Sequence, residues 1–241
     1  MALHDAHIHL DFMSNAREVA LEARNREVQL FANSVTPTGF MRTMELADRL
    51  DSVRIGLGQH PWWVAEANLS LFDELLPTTR WVGEVGLDLS PRRSHHKRQR
   101  EVFFHIAKRC ASAGNKVLSI HSVRAANEVL TILEDTGCTR SCKCVFHWFS
   151  GSTEDLWRAI RAGCWFSVNQ MQAGTRRAKE QLKLIPANRL LLETDLPPGE
   201  GKPFDFCEIE RSLMHAQTLL EHIRSETLTT QLEKNWTELA S

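Results

Sequence analysis

Short runs of β-branched, aromatic and aliphatic residues recur along the chain at about 3–8, 28–34, 53–58, 80–85, 116–121, 143–148, 164–168 and 189–194. Each is followed by a longer stretch with apolar residues at helical spacing, roughly 14–25, 39–50, 66–76, 95–113, 124–136, 152–162, 173–185, 206–222 and 226–239. The short runs predict strands and the 3.6-residue period predicts amphipathic helices. In the fourth helical stretch Val102, Phe103, Ile106 and Cys110 form an apolar stripe that should face a core. Ahead of the sixth, Ser152 and Thr153 followed by Glu154 and Asp155 predict an N-cap with acids that complement the helix dipole. Eight strands alternating with helices predict an α/β fold with a parallel sheet. At this length the expected arrangement is a closed (β/α)8 TIM-type barrel, with a doubly wound open sheet as the alternative.

Composition narrows the picture. No repeat, low-complexity tract or Pro/Gly/Ser-rich linker interrupts the alternation, so residues 1–241 are expected to form a single domain. With 42% apolar and 24% charged residues the chain is neither disordered nor fibrous. Thirty acidic against 29 basic residues give a net charge of −1, which excludes a general polyanion-coating protein and leaves only local contact with nucleic acid. The N-terminus, MALHDAHIHLD, has neither the basic nor the apolar region of a secretory signal, so the mature chain is expected to start at residue 1 or 2. Charges interrupt every apolar run before membrane-spanning length, so no membrane role is expected. The six cysteines form no CxxC pair and are too sparse for a disulfide scaffold, which suits reduced thiols in a cytoplasm. Cys138, Cys142 and Cys144 near His147 fit no usual zinc spacing and are read as small, partly buried thiols.

The chemistry gathers at predicted strand ends. His7 and His9 end the first strand, His60 follows the third, Glu84 ends the fourth, His121 the fifth and His147 the sixth, and Asp195 follows the eighth. In a barrel these ends converge on one mouth, where active sites lie. A His-x-His pair on a strand puts both imidazoles on one face, within reach of one ion. Further histidines and two carboxylates complete a mixed N/O set suited to divalent cations, with Glu84 or Asp195 able to bridge two of them. Singly, each residue also reads as a hydrogen-bonded core group. Jointly, six buried polar groups without partners would be costly, at about 1–3 kcal/mol each, and a binuclear metal site satisfies them all.

In order and spacing, the segments DAHIHLD (5–11), GLGQHPWWV (56–64), GEVGLD (83–88), QREVF (99–103), IHS (120–122), FHWFSG (146–151) and ETDLP (193–197) resemble the TatD family of metal-dependent hydrolases and nucleases. The resemblance runs across essentially the whole chain. It implies a (β/α)8 metallohydrolase with one ion on His7, His9, Glu84 and Asp195, a second on Glu84, His121 and His147, and Glu84 as the bridge. It also implies Mg²⁺-dependent nuclease action on DNA, single-stranded or frayed, with Mn²⁺ or Zn²⁺ as the other candidate ions. Members resembling this family occur in bacterial anti-phage gene clusters, so protein partners in a complex are a further expectation. Two stretches depart from the family pattern. His121-Ser122-Val123-Arg124 stands where His-Ser-Arg-Asp is common, and the loop PGEGKPFD after ETDLP is shorter than usual.

Glu84 and Asp195 are the expected catalytic carboxylates, Asp195 as general base. A helix N-cap is the competing role for Asp195, but Pro197, Pro198 and Gly199 make a loop that leaves its carboxylate free. His60 either orients a phosphate or hydrogen-bonds a turn. Trp62, beside Trp63, either stacks an unpaired base or packs on a neighbouring loop. Arg92, Arg93 and Lys97 belong to a basic run, 92–100, read either as a solvated face or as phosphate contacts. The competing functions are a hydrolase of a small amide, lactone or phosphoester, and a barrel subunit of a larger complex. The basic run disfavours the first and the complete ligand set the second.

Overall fold

A computed structural model of the chain describes residues 3–47 and 50–241. Eight strands form one parallel sheet in sequence order: β1 His4–Ile8, β2 Gln29–Asn33, β3 Val53–Gln59, β4 Trp81–Asp88, β5 Val117–Val123, β6 Lys143–His147, β7 Trp165–Val168 and β8 Leu190–Leu192. The ends of the sheet meet where Asp195 N–H donates to the His7 carbonyl and His9 N–H to the Leu196 carbonyl, both at 2.8 Å. Sequential order with this seam describes a nearly closed (β/α)8 barrel and removes the open-sheet alternative.

The outer helices are α1 Ala16–Asn25, α2 Pro37–Ala47, α3 Leu69–Leu75, α4 His96–Ala113, α5 Ala126–Asp135, α6 Cys138–Ser141, α7 Thr153–Arg161, α8 Arg176–Leu184, α9 Phe206–Arg224 and α10 Thr229–Ala240. Val102, Phe103, Ile106 and Cys110 of α4 are buried, as their spacing predicts. Ser152 caps α7 in a reciprocal capping box with Asp155. The first helix starts two residues later than its pattern suggests, and a 3-10 turn at Leu10–Phe12 precedes it. The second starts earlier, with Pro37 at a first-turn position that needs no N–H. Residues 48 and 49 of its expected span lie outside the described residues. Helix α6 was not expected. Its Cys138, with Cys142 and Cys144, is a free thiol, and His147 faces the barrel mouth instead.

Inside the barrel an apolar floor is built by Ala6, Phe31, Trp81, Val117, Val145, Trp165 and Leu191, closed from below by Trp236 and Leu239 of α10. Two residues further along, on β2, β5, β6 and β7 and just past β8, the side chain returns to the same face. Those positions are Asn33 after Phe31, Ser119 after Val117, His147 after Val145, Ser167 after Trp165 and Glu193 after Leu191, all buried. The floor is therefore apolar and the layer above it polar. The strands carrying His7 and Glu84 have irregular registers, between Asp5 and Ile8 and between Val82 and Val85. Glu84 lies inside β4, which continues to Asp88, and does not end it as the sequence suggests.

Candidate metal centre

The mouth brings together all six sequence-predicted ligands. His7, His9, Glu84, His121 and His147 are buried, while the Asp195 side chain keeps 25% of its surface exposed. His9 donates Nδ1–H to the Asn33 carbonyl at 2.9 Å, which turns Nε2 toward the other candidate ligands. That nitrogen lies 3.2 Å from His7 Nε2, 3.4 Å from Glu84 Oε2 and 3.5 Å from Asp195 Oδ1. His7 Nε2 lies 3.3 Å from Glu84 Oε2 and 3.6 Å from Asp195 Oδ1, and its Nδ1 is 2.7 Å from the Ser119 hydroxyl. Ligands about 2.1 Å from one ion in a tetrahedron stand about 3.4 Å apart, so these spacings fit a shared cation.

The other Glu84 oxygen, Oε1, lies 2.6 Å from His121 Nδ1 and 2.8 Å from His147 Nε2. One carboxylate thus offers an oxygen to each of two imidazole pairs, the arrangement a bridging ligand requires. Candidate metal-holding groups are His7–His9–Asp195, His60–Glu84–His121 and His7–His147–Glu193.

Charge supports the same reading. Burial alone would raise the Glu84 carboxyl, but His60, His147 and His7 around it hold it well below the usual carboxylate range. Asp195 is likewise held low against its burial, by the hydrogen bond from His9 and by His147. Burial would lower His9 and His147, yet Asp195 with Glu84, and Glu84 with Glu193, push them well above the ordinary imidazole value. His7 is lowered to about 4 by burial and by His147. The two carboxylates stay ionised only beside positive charge. Protons on the imidazoles supply it here, and a metal ion satisfies the same demand. The residues therefore fit a divalent cation.

His60 performs the turn role foreseen for it and also enters the site. Its Nδ1 accepts the Trp62 N–H at 3.1 Å, so the ring proton sits on Nε2, 3.3 Å from Glu84 Oε1. In that tautomer His60 is a donor rather than a ligand. Trp62 is 46% exposed, gives its indole N–H to Asp88 Oδ2 at 2.7 Å, and carries the Arg93 guanidinium 3.4 Å above its ring. Arg93 is thus at the mouth. Arg92 is exposed on the β4–α4 loop, and Lys97 is exposed on α4 with Glu101 4.0 Å away. His9, His60, Glu84, His121, His147 and Asp195 share a pocket of about 140 Å³, walled by Phe12, Trp62 and Trp63 opposite Pro197 and Pro198.

Sequence reasoning missed the supporting layer. Glu193 accepts from Asn169 Nδ2 at 3.0 Å, from the Trp148 N–H at 3.1 Å and from the Ser167 hydroxyl, and lies 3.8 Å from His147 Nδ1. Asp5 accepts from His7 N–H and Thr194 N–H and ties β1 to the segment after β8. The period-two rule applied upward from the apolar floor would have found Ser119 and Glu193. Arg124 and Trp148, directly after β5 and β6, and Asp195, after β8, all adopt positive φ (52°, 41° and 58°). Strained non-glycine residues of this kind gather at functional sites.

A barrel with imidazoles and carboxylates converging at the C-terminal ends of its strands defines a metal-dependent hydrolase. The family model for TatD related DNase matches residues 4–240, and the chain belongs to that family. An uncharacterized metal-dependent hydrolase of Bacillus subtilis, YabD, is 29% identical over 84% of this chain and 83% of its own length. Human deoxyribonuclease TATDN3 is 27% identical over 82% of this chain and 78% of its own. Among solved structures, the TatD homolog YJJV from Escherichia coli superposes with a TM-score of 0.83 at 23% identity, covering 98% of this chain and 97% of that one, which shows the shared fold. No helix among the described residues is long and apolar enough to cross a membrane.

Proposed function

We propose that the chain is a divalent-metal-dependent nuclease that cleaves phosphodiester bonds in single-stranded or frayed DNA with two metal ions, as one barrel domain over residues 1–241. The observation that carries this reading is the division of the Glu84 carboxylate, Oε2 toward His7 and His9 and Oε1 toward His121 and His147. His7, His9, Glu84 and Asp195 then hold one ion, and Glu84, His121 and His147 the other. Four imidazoles with two carboxylates suit Mn²⁺ or Zn²⁺ better than Mg²⁺, which prefers oxygen ligands and retained water. Bound ions supply the positive charge that polarises a phosphodiester and makes water nucleophilic near neutral pH.

The protein's own groups do the rest. Asp195, the most open of the six ligands, takes the proton of the attacking water. His60 aims its Nε2–H into the pocket as a donor to a phosphate oxygen. Phe12, Trp62 and Trp63 wall the pocket and offer aromatic faces on which an unpaired base stacks. Arg93, with Arg92 and Lys97 further out, meets the backbone phosphates. The human relative's name, deoxyribonuclease, supports this substrate. Free cysteines at all six positions suit the reducing cytoplasm. A place in an anti-phage complex is the narrowest form of this reading, tested by phage plating on cells that carry the wild-type or the Glu84→Gln gene.

The direct test incubates purified protein with labelled single- and double-stranded oligonucleotides under Mg²⁺, Mn²⁺ and Zn²⁺. Chelator-sensitive cleavage of the single strand is expected. Intact oligonucleotides beside hydrolysis of a small chromogenic phosphodiester would replace this reading with the small-substrate hydrolase.

A further inference from the structure

Asp88, the last residue of β4, is buried and sits between two parts of the site that no single element joins. On one side is His121. Its Nδ1 lies 2.6 Å from Glu84 Oε1; a ring that ligates an ion through Nδ1 carries its proton on Nε2, and among the described residues that buried nitrogen has no hydrogen-bond partner. Asp88 Oδ2 lies 3.7 Å from it. On the other side is the aromatic wall, where the same Oδ2 accepts the Trp62 indole N–H at 2.7 Å and lies 3.6 Å from Arg93 Nε. Oδ1 is held by the Ser90 N–H at 3.0 Å, and the Gln99 side chain fixes the Asp88 backbone N–H at 2.9 Å. The carboxylate is therefore anchored, with one oxygen free to serve both neighbours.

We propose that Asp88 is a positioning residue that joins the metal centre to the substrate wall. Its carboxylate orients His121 to ligate through Nδ1, and it holds Trp62 with Arg93 as a stacked pair that receives an unpaired base and the adjoining phosphate. A ligating imidazole whose second nitrogen faces a carboxylate is fixed in tautomer and made more basic. The indole, with its N–H tied down, presents its ring at one fixed angle to the pocket. Arg93 covers part of that ring and brings to the base-stacking surface a cation that pairs with a phosphate. The ligation half stands independently of the nuclease reading, whereas the wall half rests on it.

Two measurements separate these halves. Calorimetric titration of chelator-stripped protein with Mn²⁺ and with Zn²⁺ should show one of the two ions bound about 10–100-fold more weakly in Asp88→Asn, with Asp88→Glu recovering part of the loss. Trp62→Phe, which removes the indole N–H together with its five-membered ring and leaves Asp88 beside His121, should bind both ions as wild type does. Fluorescence anisotropy of a labelled ten-nucleotide single strand on metal-free protein should show about tenfold weaker binding in Trp62→Ala, and a loss in Asp88→Asn and Arg93→Gln as well. Wild-type metal affinity in Asp88→Asn overturns the ligation half. Wild-type strand affinity in Asp88→Asn, or no strand binding by the wild type, overturns the wall half. Strand binding without cleavage under any metal would sink the nuclease reading and with it the wall half, and leave the ligation half to the metal titration. Should Asp88→Asn fail to fold, Asp88→Glu against Trp62→Phe carries both comparisons.

Discussion

Glu84 concentrates the chemistry of the molecule in two oxygen atoms. Replacing it by Gln keeps one acceptor and turns the other into an NH₂ donor facing either His7 and His9 or His121 and His147. Elemental analysis of Glu84→Gln should therefore find both ions lost together; loss of one alone would contradict a bridge. Asp195 differs because its carboxylate faces only the His7–His9 side and remains open to water. Asp195→Asn should lower turnover by about 10²-fold or more with the fold intact, and unchanged turnover would remove Asp195 from the site. At this scale the sequence exposes what is chemically loud. Histidines and acids at strand ends are conspicuous, whereas Ser119, Asn33 and Glu193 look like ordinary strand polars until the inward face is known. His60 shows the limit in another way. The turn role falls to Nδ1, and the Trp62 N–H on it decides which nitrogen faces the pocket.

The elements set these atoms in place through close backbone approach. Gly58 in β3 packs so tightly that an added Cβ would stand 1.5 Å from the Ser34 carbonyl oxygen, the atom that accepts the Glu84 N–H at 2.8 Å. Gly58→Ala must therefore push β2 and β4 apart. We expect a cost of about 3 kcal/mol and a Tm lower by roughly 6–12 °C, together with weaker metal binding. Gly174→Ala, with nothing within 4 Å, is the control that should leave Tm nearly unchanged. Lower in the barrel, buried His4 accepts the Leu192 N–H at 3.0 Å and stacks on Trp236, and burial lowers it to about 3. The folded state keeps it neutral while the unfolded chain protonates near 6.5. Its contribution is therefore complete above about pH 6.5 and lost as pH falls toward 3, at up to about 1.4 kcal/mol per unit. Urea unfolding at pH 7 and pH 5 should show a smaller loss in His4→Gln than in wild type; equal losses would refute this. The strands were legible because most are short runs rich in β-branched, aromatic and aliphatic residues. Their ends were not: the fourth run was expected at about 80–85, yet Gly86-Leu87-Asp88 continues it and pairs with β5.

The whole molecule decides what local pattern cannot. Arg92, Arg93 and Lys97 are equivalent in sequence, but the β4–α4 loop lays Arg93 on Trp62 while α4 carries Lys97 beside Glu101. Loop trajectories of this kind follow from packing across the mouth and leave no periodic trace. The candidate metal centre is likewise a property of the closed barrel, since its six residues come from β1 and the position just after it, β4, β5, β6 and the segment after β8. An unfolded chain offers no such site, so binding free energy becomes folding free energy. Free ion at 100 times its dissociation constant stabilises the folded state by about 2.7 kcal/mol per site. Unfolding of a chain this long shifts by about 2–4 °C per kcal/mol, so two sites should raise Tm by roughly 10–20 °C over chelated protein. The rise should grow with the logarithm of free Mn²⁺ or Zn²⁺ and vanish in Glu84→Gln. Asp195→Asn, which leaves the His121–His147 side intact, should retain about half of it. A melting temperature indifferent to metal and chelator would mean that the converging imidazoles and carboxylates are held together by protons alone.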